Sequence, residues 1–498
     1  MRSAEQPDPD ERASPAGPAS EWWRNGVVYQ IYPRSFQDSD GDGVGDLPGI
    51  TSRLDHLAWL GVDALWLSPI YPSPLADSGY DVADYTAVDP AYGTLADFDH
   101  LLAAAHARGI RVLLDLVAAH TSIEHPWFRE HPDWYVWADD GPPNNWRATF
   151  GGPAWSLDRE SGRWYLHSFY PEQPDLDWRN PEVREAIAGV VGFWRGRGVD
   201  GFRVDAVERM VKDSRLRDDP PAVEPFPFPL HPEHAELRHA HSRNDPEIGL
   251  ALAALRDAAG DAVLVGEVYL PNDELGPYLE HLDVAFTFDF LHSPWEAGPL
   301  TRAISSAAVL ERVAWVLSNH DFGRIASRVP AGAARAAALL LLTLPGAAFI
   351  YQGDEIGMVD GPGAGTPSDR FGRDAYRHPM QWEPQPDAGF SSGRPWLEPV
   401  DPARVSVAAQ CEDPASMLAL YRRLIALRRE LGAGSRLLAA DPGLIAFERG
   451  EHVVAVNLAD EPLPPPASGE PVVATAPIGG DGAIPPQAGV VLRGDRGG

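Results

Sequence analysis

Val199-Asp200-Gly201-Phe202-Arg203-Val204-Asp205-Ala206-Val207 is the stretch from which the rest of the chain is read. A short apolar run ends in Arg203 and Asp205, and on a strand residues two apart project from the same face. Acidic run-ends recur at Val263-Leu264-Val265-Gly266-Glu267 and at Val316-Leu317-Ser318-Asn319-His320-Asp321. Carboxylates at the ends of successive apolar runs predict one ring of acids around one pocket.

Outward from that stretch, β-branched or apolar runs alternate with segments of helical period. Strands are predicted over 27–31, 64–67, 112–117, 201–204, 263–265, 284–288, 313–317 and 347–350. Helices are predicted over 50–60, 95–107, 181–197, 246–258, 333–342 and 414–429. Strand–helix alternation implies parallel pairing with helical crossovers, and eight such units predict a closed (β/α)₈ barrel. The segment after the third strand is too long for a structureless loop and reads as a small inserted domain. The chain therefore divides into a disordered segment (1–20), a catalytic barrel (21–120 and 181–432), an insertion (121–180) and a C-terminal antiparallel β-domain (433–498). In that last domain 453–457 and 490–492 are the clearest strands. A Pro- and His-rich excursion, 212–244, is expected to lid the same barrel face. Its His231, His234, His239 and His241 lack a partner set for zinc and read as a solvated loop.

The net charge of −31 at pH 7 argues against nucleic acid or an anionic membrane as a partner, because a polyanionic surface repels both. A single cysteine, Cys411, excludes an internal disulfide framework and a thiolate metal site. No apolar segment suits a signal peptide or a membrane span, since 333–350 is interrupted by Arg335, Thr343 and Pro345. The expected location is the cytoplasm. Neither a Walker loop nor a dinucleotide fingerprint is present, so no organic cofactor is expected.

Chemistry in such a barrel sits at the C-terminal ends of the strands. The polar residues predicted there are Asp81, His120, Arg203, Asp205, Glu267, His320 and Asp321. One strand-end Asp or His is ordinarily a cap or a packed polar group; their convergence on one barrel face points to acid/base and nucleophilic work on a glycosidic bond. Separately, Asp38-Ser39-Asp40-Gly41-Asp42-Gly43-Val44-Gly45-Asp46 places oxygen donors at alternate positions with Gly at the sixth, the spacing of a calcium loop. Gly49 stands where a bidentate Glu would close such a loop. Asp38, Asp40, Asp42, Val44 and Asp46 are the candidate ligands for Ca²⁺, and Mg²⁺ could occupy the same loop.

The segments WWRNGVVYQIYPRSF, DSDGDGVGDLPGI, LWLSPIYPSP, GYDVADY, QPDLDW, GFRVDAV, GEVY, LSNHD and RHPMQW resemble, in order, the α-amylase family of glycoside hydrolases (family 13). Within it the chain is most similar to the α-glucosidase and oligo-1,6-glucosidase branch. The resemblance implies that Asp205 is the nucleophile, Glu267 the general acid/base and Asp321 the carboxylate that binds sugar hydroxyls. It implies that Arg203 keeps Asp205 ionised, and that His120 and His320 donate to hydroxyls of the same ring. It further implies that Asp81 and Arg377 close the pocket over a non-reducing glucose, that Phe150 and Phe169 line it, and that the acidic loop holds a structural cation. Ala206 after the nucleophile implies preference for α-1,4 over α-1,6 linkages. Ala119 stands where the family usually has an Asn that tethers the inserted domain.

The expected activity is exo-acting, retaining hydrolysis of terminal α-1,4-linked glucose from short malto-oligosaccharides. Alternatives on the same intermediate are a transglycosylating or isomerising enzyme acting on sucrose, trehalose or isomaltose, or an oligo-1,6-glucosidase. A non-catalytic reading, by likeness to amino-acid transporter heavy chains, calls for a transmembrane helix and usually incomplete catalytic acids, neither of which this sequence shows. Whether the protein is a monomer or a homodimer is left open.

Overall fold

The computed structural model describes residues 21–224, 228, 231–363, 369–438, 441–480 and 482–494. The predicted disordered segment 1–20 lies outside the described residues.

Eight strands close into a barrel: β1 (Val27–Ile31), β2 (Ala64–Leu67), β3 (Arg111–Leu116), β4 (Gly201–Val204), β5 (Val263–Gly266), β6 (Val284–Phe286), β7 (Val313–Val316) and β8 (Ala347–Tyr351). All neighbours pair in parallel, and β8 returns to β1. Helices cover the outside and side chains fill the inside, so these strands are apolar on both faces instead of alternating. The crossover helix Pro181–Arg197 shows how local sequence serves the barrel. The Asn180 side chain caps it by accepting the Glu182 N–H at 2.9 Å, and the chain leaves it at Gly198 with φ of 102°. Its buried stripe of Val183, Ile187, Val190, Val191 and Trp194 follows the helical period against the sheet. Each such side chain contributes about 1.5–3 kcal/mol when fully buried.

The differences from expectation are local. The helix expected over 50–60 is two, Leu47–Ser52 and Leu54–Leu60, broken at Arg53. β6 ends at Phe286, because Phe288–His292 coils into a short helix where the apolar run continues. Helix Ala297–Ala308, absent from the sequence reading, buries Leu300, Ala303, Ile304 and Ala307 at helical spacing. Gly298 and Pro299 at its start hide that pattern.

The segment after β3 carries a three-stranded antiparallel sheet of Trp137–Ala138, Trp155–Leu157 and Trp164–Leu166. With Ala119 in place of the tethering Asn, other groups fix this insertion. The Leu176 N–H donates to the Ala119 carbonyl at 3.0 Å, Trp178 Nε1 to the Ala118 carbonyl at 2.7 Å, and the buried Lys212 ammonium sits 2.6 Å from Asp175. The C-terminal sheet comprises Arg436–Leu437, Leu444–Arg449, His452–Asn457, Ala488–Arg493 and Glu470–Ala474, in that spatial order. It joins the barrel through the buried Arg449, which donates to the Thr343 and Leu344 carbonyls at 2.6 and 2.9 Å; Arg428, at the end of helix Met417–Arg428, donates to those of Leu342 and Leu344 at 2.8 and 2.7 Å. These are orphan carbonyls at the C-terminus of helix Ala334–Thr343.

Among the described residues no helix is long and apolar enough to cross a membrane. The His-rich excursion is not a solvated loop throughout: His234 and His239 are buried with their rings stacked 3.7 Å apart.

Candidate active site

Strand ends β4, β5 and β7 deliver Asp205, Glu267 and Asp321 to one cavity at the C-terminal mouth of the barrel. Arg203, on β4, organises two of them. Its Nη1 donates to Asp205 Oδ1 at 2.6 Å and to Asp115 Oδ1 at 2.7 Å, while Nη2 lies 2.5 Å from Glu267 Oε1. Asp115 in turn accepts from Trp66 Nε1 and the Tyr80 hydroxyl, each at 3.0 Å, so the guanidinium stands on a well-anchored floor. Ala206 adopts a left-handed backbone (φ 43°, ψ 47°), costly for a residue with a Cβ. In return its N–H reaches Glu267 Oε2 at 3.0 Å.

These contacts set the protonation of the pair. Burial pushes Asp205 well above the ordinary carboxylate range, against Arg203, and the neighbouring Glu267 charge adds to the rise. Burial, again against Arg203, and the charge of Asp321 push Glu267 up to about 7. Contrary to the expectation that Arg203 keeps Asp205 ionised, burial outweighs the guanidinium, and the two raised, neighbouring carboxyls titrate together as one pair. Asp321 goes the other way. Although burial opposes it, His320, Arg373 and Arg377 hold Asp321 well below the usual range, which favours its anionic form.

The residues around Asp321 correct the sequence reading. Asp81 is fully buried and turned away from the cavity; its carboxylate accepts from the Ala76 and Asp77 N–H groups at 2.9 and 3.0 Å and from Ser73 Oγ at 2.8 Å. It shapes a loop. The carboxylate that faces the cavity is Asp77, ion-paired with Arg373, whose Nη1 donates to Asp321 Oδ1 at 2.8 Å. Arg377 does not line the cavity but supports Asp321 from behind, with Nη2 at 3.0 Å from Oδ1, Nε on the His320 carbonyl and Nη1 on Ser78 Oγ. Both partners of the cavity-facing pair therefore stand four residues earlier than expected.

His320 is also behind the wall. Gln30 Nε2 donates to its Nδ1 at 2.7 Å, which leaves the proton on Nε2, 3.1 Å from Asp321 Oδ2. It stacks on Tyr80 at 5.1 Å, with the two rings nearly parallel. His120 does line the cavity, with its buried Nδ1 unpartnered. Phe150 and Phe169 line it as expected, 5.6 Å apart, and Phe371 packs on Phe150 at 5.0 Å. Beyond Glu267 the wall is made by Glu208, Arg209, Phe228, His234, Arg243 and Tyr269. The sequence reading placed His234 in a solvated loop and did not single out the others; Glu208 and Arg209 directly follow the nucleophile motif, and that adjacency was the available signal.

In the acidic loop, oxygens of Asp38, Asp40 and Asp42 lie within 4.8 Å of one another. Asp46 is outside that cluster; it caps helix Leu47–Ser52, accepting from the Gly49 N–H at 2.6 Å and from Ser39. Gly43 takes φ of 93°, and a Cβ there would meet the Arg394 carbonyl oxygen at 2.1 Å, so only glycine fits. Three hard carboxylate oxygens gathered this closely suit a divalent cation.

A family model described as "Alpha amylase, catalytic domain" matches residues 30–434. The chain belongs to the alpha-amylase family. As such it is a glycoside hydrolase with the family's eight-stranded parallel barrel. Among alpha-amylase family relatives it is 43% identical over 467 residues to a "Probable alpha-glucosidase" of Rhizobium meliloti, covering 83% of each chain. It is 36% identical to an "Oligo-1,6-glucosidase" of Halalkalibacterium halodurans, over 86% of this chain and 88% of that protein. The crystal structure of an "alpha-glucosyl transfer enzyme, XgtA" superposes with a TM-score of 0.86 at 36% identity, covering 95% of this chain and 99% of that one.

Proposed function

We propose that the protein is a retaining, exo-acting α-glucosidase that releases terminal α-1,4-linked glucose from small malto-oligosaccharides. The observation that supports this best is Arg203, which holds Asp205 and Glu267 on one guanidinium fork in a cavity whose other end is shut by Asp77 and Arg373. One fork favours the close separation of about 5–5.5 Å used by retaining enzymes over the wider gap that inversion needs. Asp205 attacks the anomeric carbon while Glu267 donates its proton to the departing oxygen, forming a glycosyl-enzyme. Glu267 then takes a proton from water, which attacks the same carbon and frees Asp205. Asp321, Asp77 and Arg373 hold hydroxyls of the ring in place, and their closed end admits a chain terminus only.

The acid must start protonated, so kcat/KM is expected to fall as pH rises through about 7, the value to which burial raises Glu267. A pH–rate profile on maltose checks this, and Glu267→Gln removes the limb along with most of the activity. An activity that climbs steadily to pH 9 contradicts the assignment.

The small Ala206 beside the nucleophile supports α-1,4 preference: maltose should be hydrolysed at least about tenfold faster than isomaltose, a difference of about 1.4 kcal/mol. Product analysis on maltose, isomaltose, trehalose, sucrose and maltotriose tests the whole reading; equal or reversed rates on the first two refute the linkage preference. The likeness to an α-glucosyl transfer enzyme supports transfer to a second sugar as the competing fate of the same intermediate, which products at high maltose resolve.

The cation we assign to Asp38, Asp40, Asp42 and the Val44 carbonyl is structural, Ca²⁺ or Mg²⁺. Chelator, or Asp42→Ala, is expected to lower Tm by several degrees, a loss of about 1–2 kcal/mol, with kcat changed little. Melting that is indifferent to chelator contradicts it. The lone cysteine suits a reducing compartment, the cytoplasm, and the net charge of −31 leaves no basis for nucleic-acid binding.

A further inference from the structure

Beyond Glu267 the cavity wall carries two guanidinium groups, Arg209 and Arg243, exposed by only 3% and 4%. Arg209 Nη2 lies 2.7 Å from His234 Nε2, and Arg243 Nη1 donates to the Tyr269 carbonyl at 3.3 Å. Among the described residues of this wall the carboxylate is Glu208, which accepts the Tyr269 N–H at 3.3 Å and stands 3.7 Å from Arg209 Nε, too far for a hydrogen bond, and Glu274 acts on Arg243 from outside the cavity. That Nε is buried and has no hydrogen-bond partner. Asp175 and Asp219 stand behind the wall, held by Lys212 and Ser168 in the first case and by the His241 and Ser242 N–H groups in the second.

We propose, on the basis of the α-glucosidase reading, that this end of the cavity recognises an anionic leaving group, a sugar phosphomonoester, through Arg209 and Arg243. Two guanidiniums converging on one end supply the forked donors that a dianionic phosphate accepts, and neutral sugars need no such pair. The nearby carboxylates leave the Arg209 fork only partly satisfied. Burial draws Arg209 below the usual guanidinium range despite Glu208, Asp175 and Asp219, and burial with the Arg209 charge draws Arg243 down to about 9 despite Glu208 and Glu274. An arriving anion relieves that cost. At the glycone end the guanidinium of Arg373 is already paired with two carboxylates, Asp77 and Asp321, so a phosphate on the transferred ring is disfavoured and the selectivity is for the leaving ring.

The test compares maltose with maltose phosphorylated at C6 of its reducing ring. The native protein should show kcat/KM at least about tenfold higher for the phosphorylated substrate, carried mainly by KM, with the ratio shrinking as ionic strength rises. In Arg209→Gln and Arg243→Gln the ratio should fall toward one, and Arg243→Lys should recover part of it; melting curves verify that each variant is folded. A ratio of one or below in the native protein, or one that survives both Gln substitutions, overturns the proposal. A protein that hydrolyses neither disaccharide contradicts the α-glucosidase reading instead. Calorimetry of the same two compounds on Asp205→Asn then decides the anion site, equal affinities or no binding of either counting against it.

Discussion

Asp205→Asn should abolish glucoside hydrolysis, with kcat down by about 10⁴-fold or more, some 5.5 kcal/mol of lost transition-state stabilisation. The amide fills the same volume but cannot form the glycosyl-enzyme. The fold should not suffer, because Arg203 keeps Asp115 at 2.7 Å and Glu267 at 2.5 Å, so its guanidinium is never left without an anion. The two readouts must therefore separate: steady-state rates on a chromogenic α-glucoside collapse while Tm stays within a few degrees. Residual activity within a hundredfold of the native protein would show that another group attacks the sugar.

Arg373→Ala is expected to be the most damaging change outside the reacting pair. The guanidinium is buried between Asp77 and Asp321, and its removal leaves two carboxylates facing one another without the cation between them. Breaking a buried pair from one side costs about 3–5 kcal/mol of stability, so a fall in Tm is expected. For substrate, the ring loses its clamp and kcat/KM should drop by about 10³-fold. A further signature distinguishes this from simple loosening. Arg373 is among the cations that hold Asp321 well below the usual carboxylate range, so its loss must raise Asp321. The anion is then protonated at higher pH than before, and the acid limb of the rate profile should move upward. Arg373→Lys should recover much of the charge effect and little of the clamp, since a point charge cannot bridge two carboxylates as a fork does. Unchanged kcat/KM in Arg373→Ala would show that Asp77 and Arg373 do not close the sugar-binding end.

How far the sequence carried can be judged from individual residues. Asp205, Glu267 and Asp321 were legible because each ends a short apolar run, and strand ends in a parallel barrel converge whatever the loops do. Asp77 and Arg373 were not, because they sit on connections whose path depends on the rest of the molecule. Each has a second residue of its own type four positions on, Asp81 and Arg377, and local sequence does not say which of the two enters the cavity. Here Asp81 is consumed by the N–H groups of its own loop, a competition visible only once Leu75 and Ser78 are seen in left-handed conformations. His320 followed a similar course: expected to meet the sugar, it stands behind the wall, where Gln30, far away in sequence, fixes its tautomer and turns it toward Asp321. The wall beyond Glu267 was the least legible, since Phe228, His234 and Arg243 come from the long excursion after β4, where no period guides the reading. Helix Ala297–Ala308 was lost to a glycine and a proline in its first turn, although its buried stripe is regular.

The stereochemistry of the first sugar released tests the central claim most directly. Proton NMR of maltose hydrolysis, recorded before mutarotation, should show α-glucose from the non-reducing ring appearing first, because two displacements through Asp205 restore the original configuration. If β-glucose appears first, water attacks the anomeric carbon directly, and Asp205 and Glu267 do not work as nucleophile and acid in a double displacement.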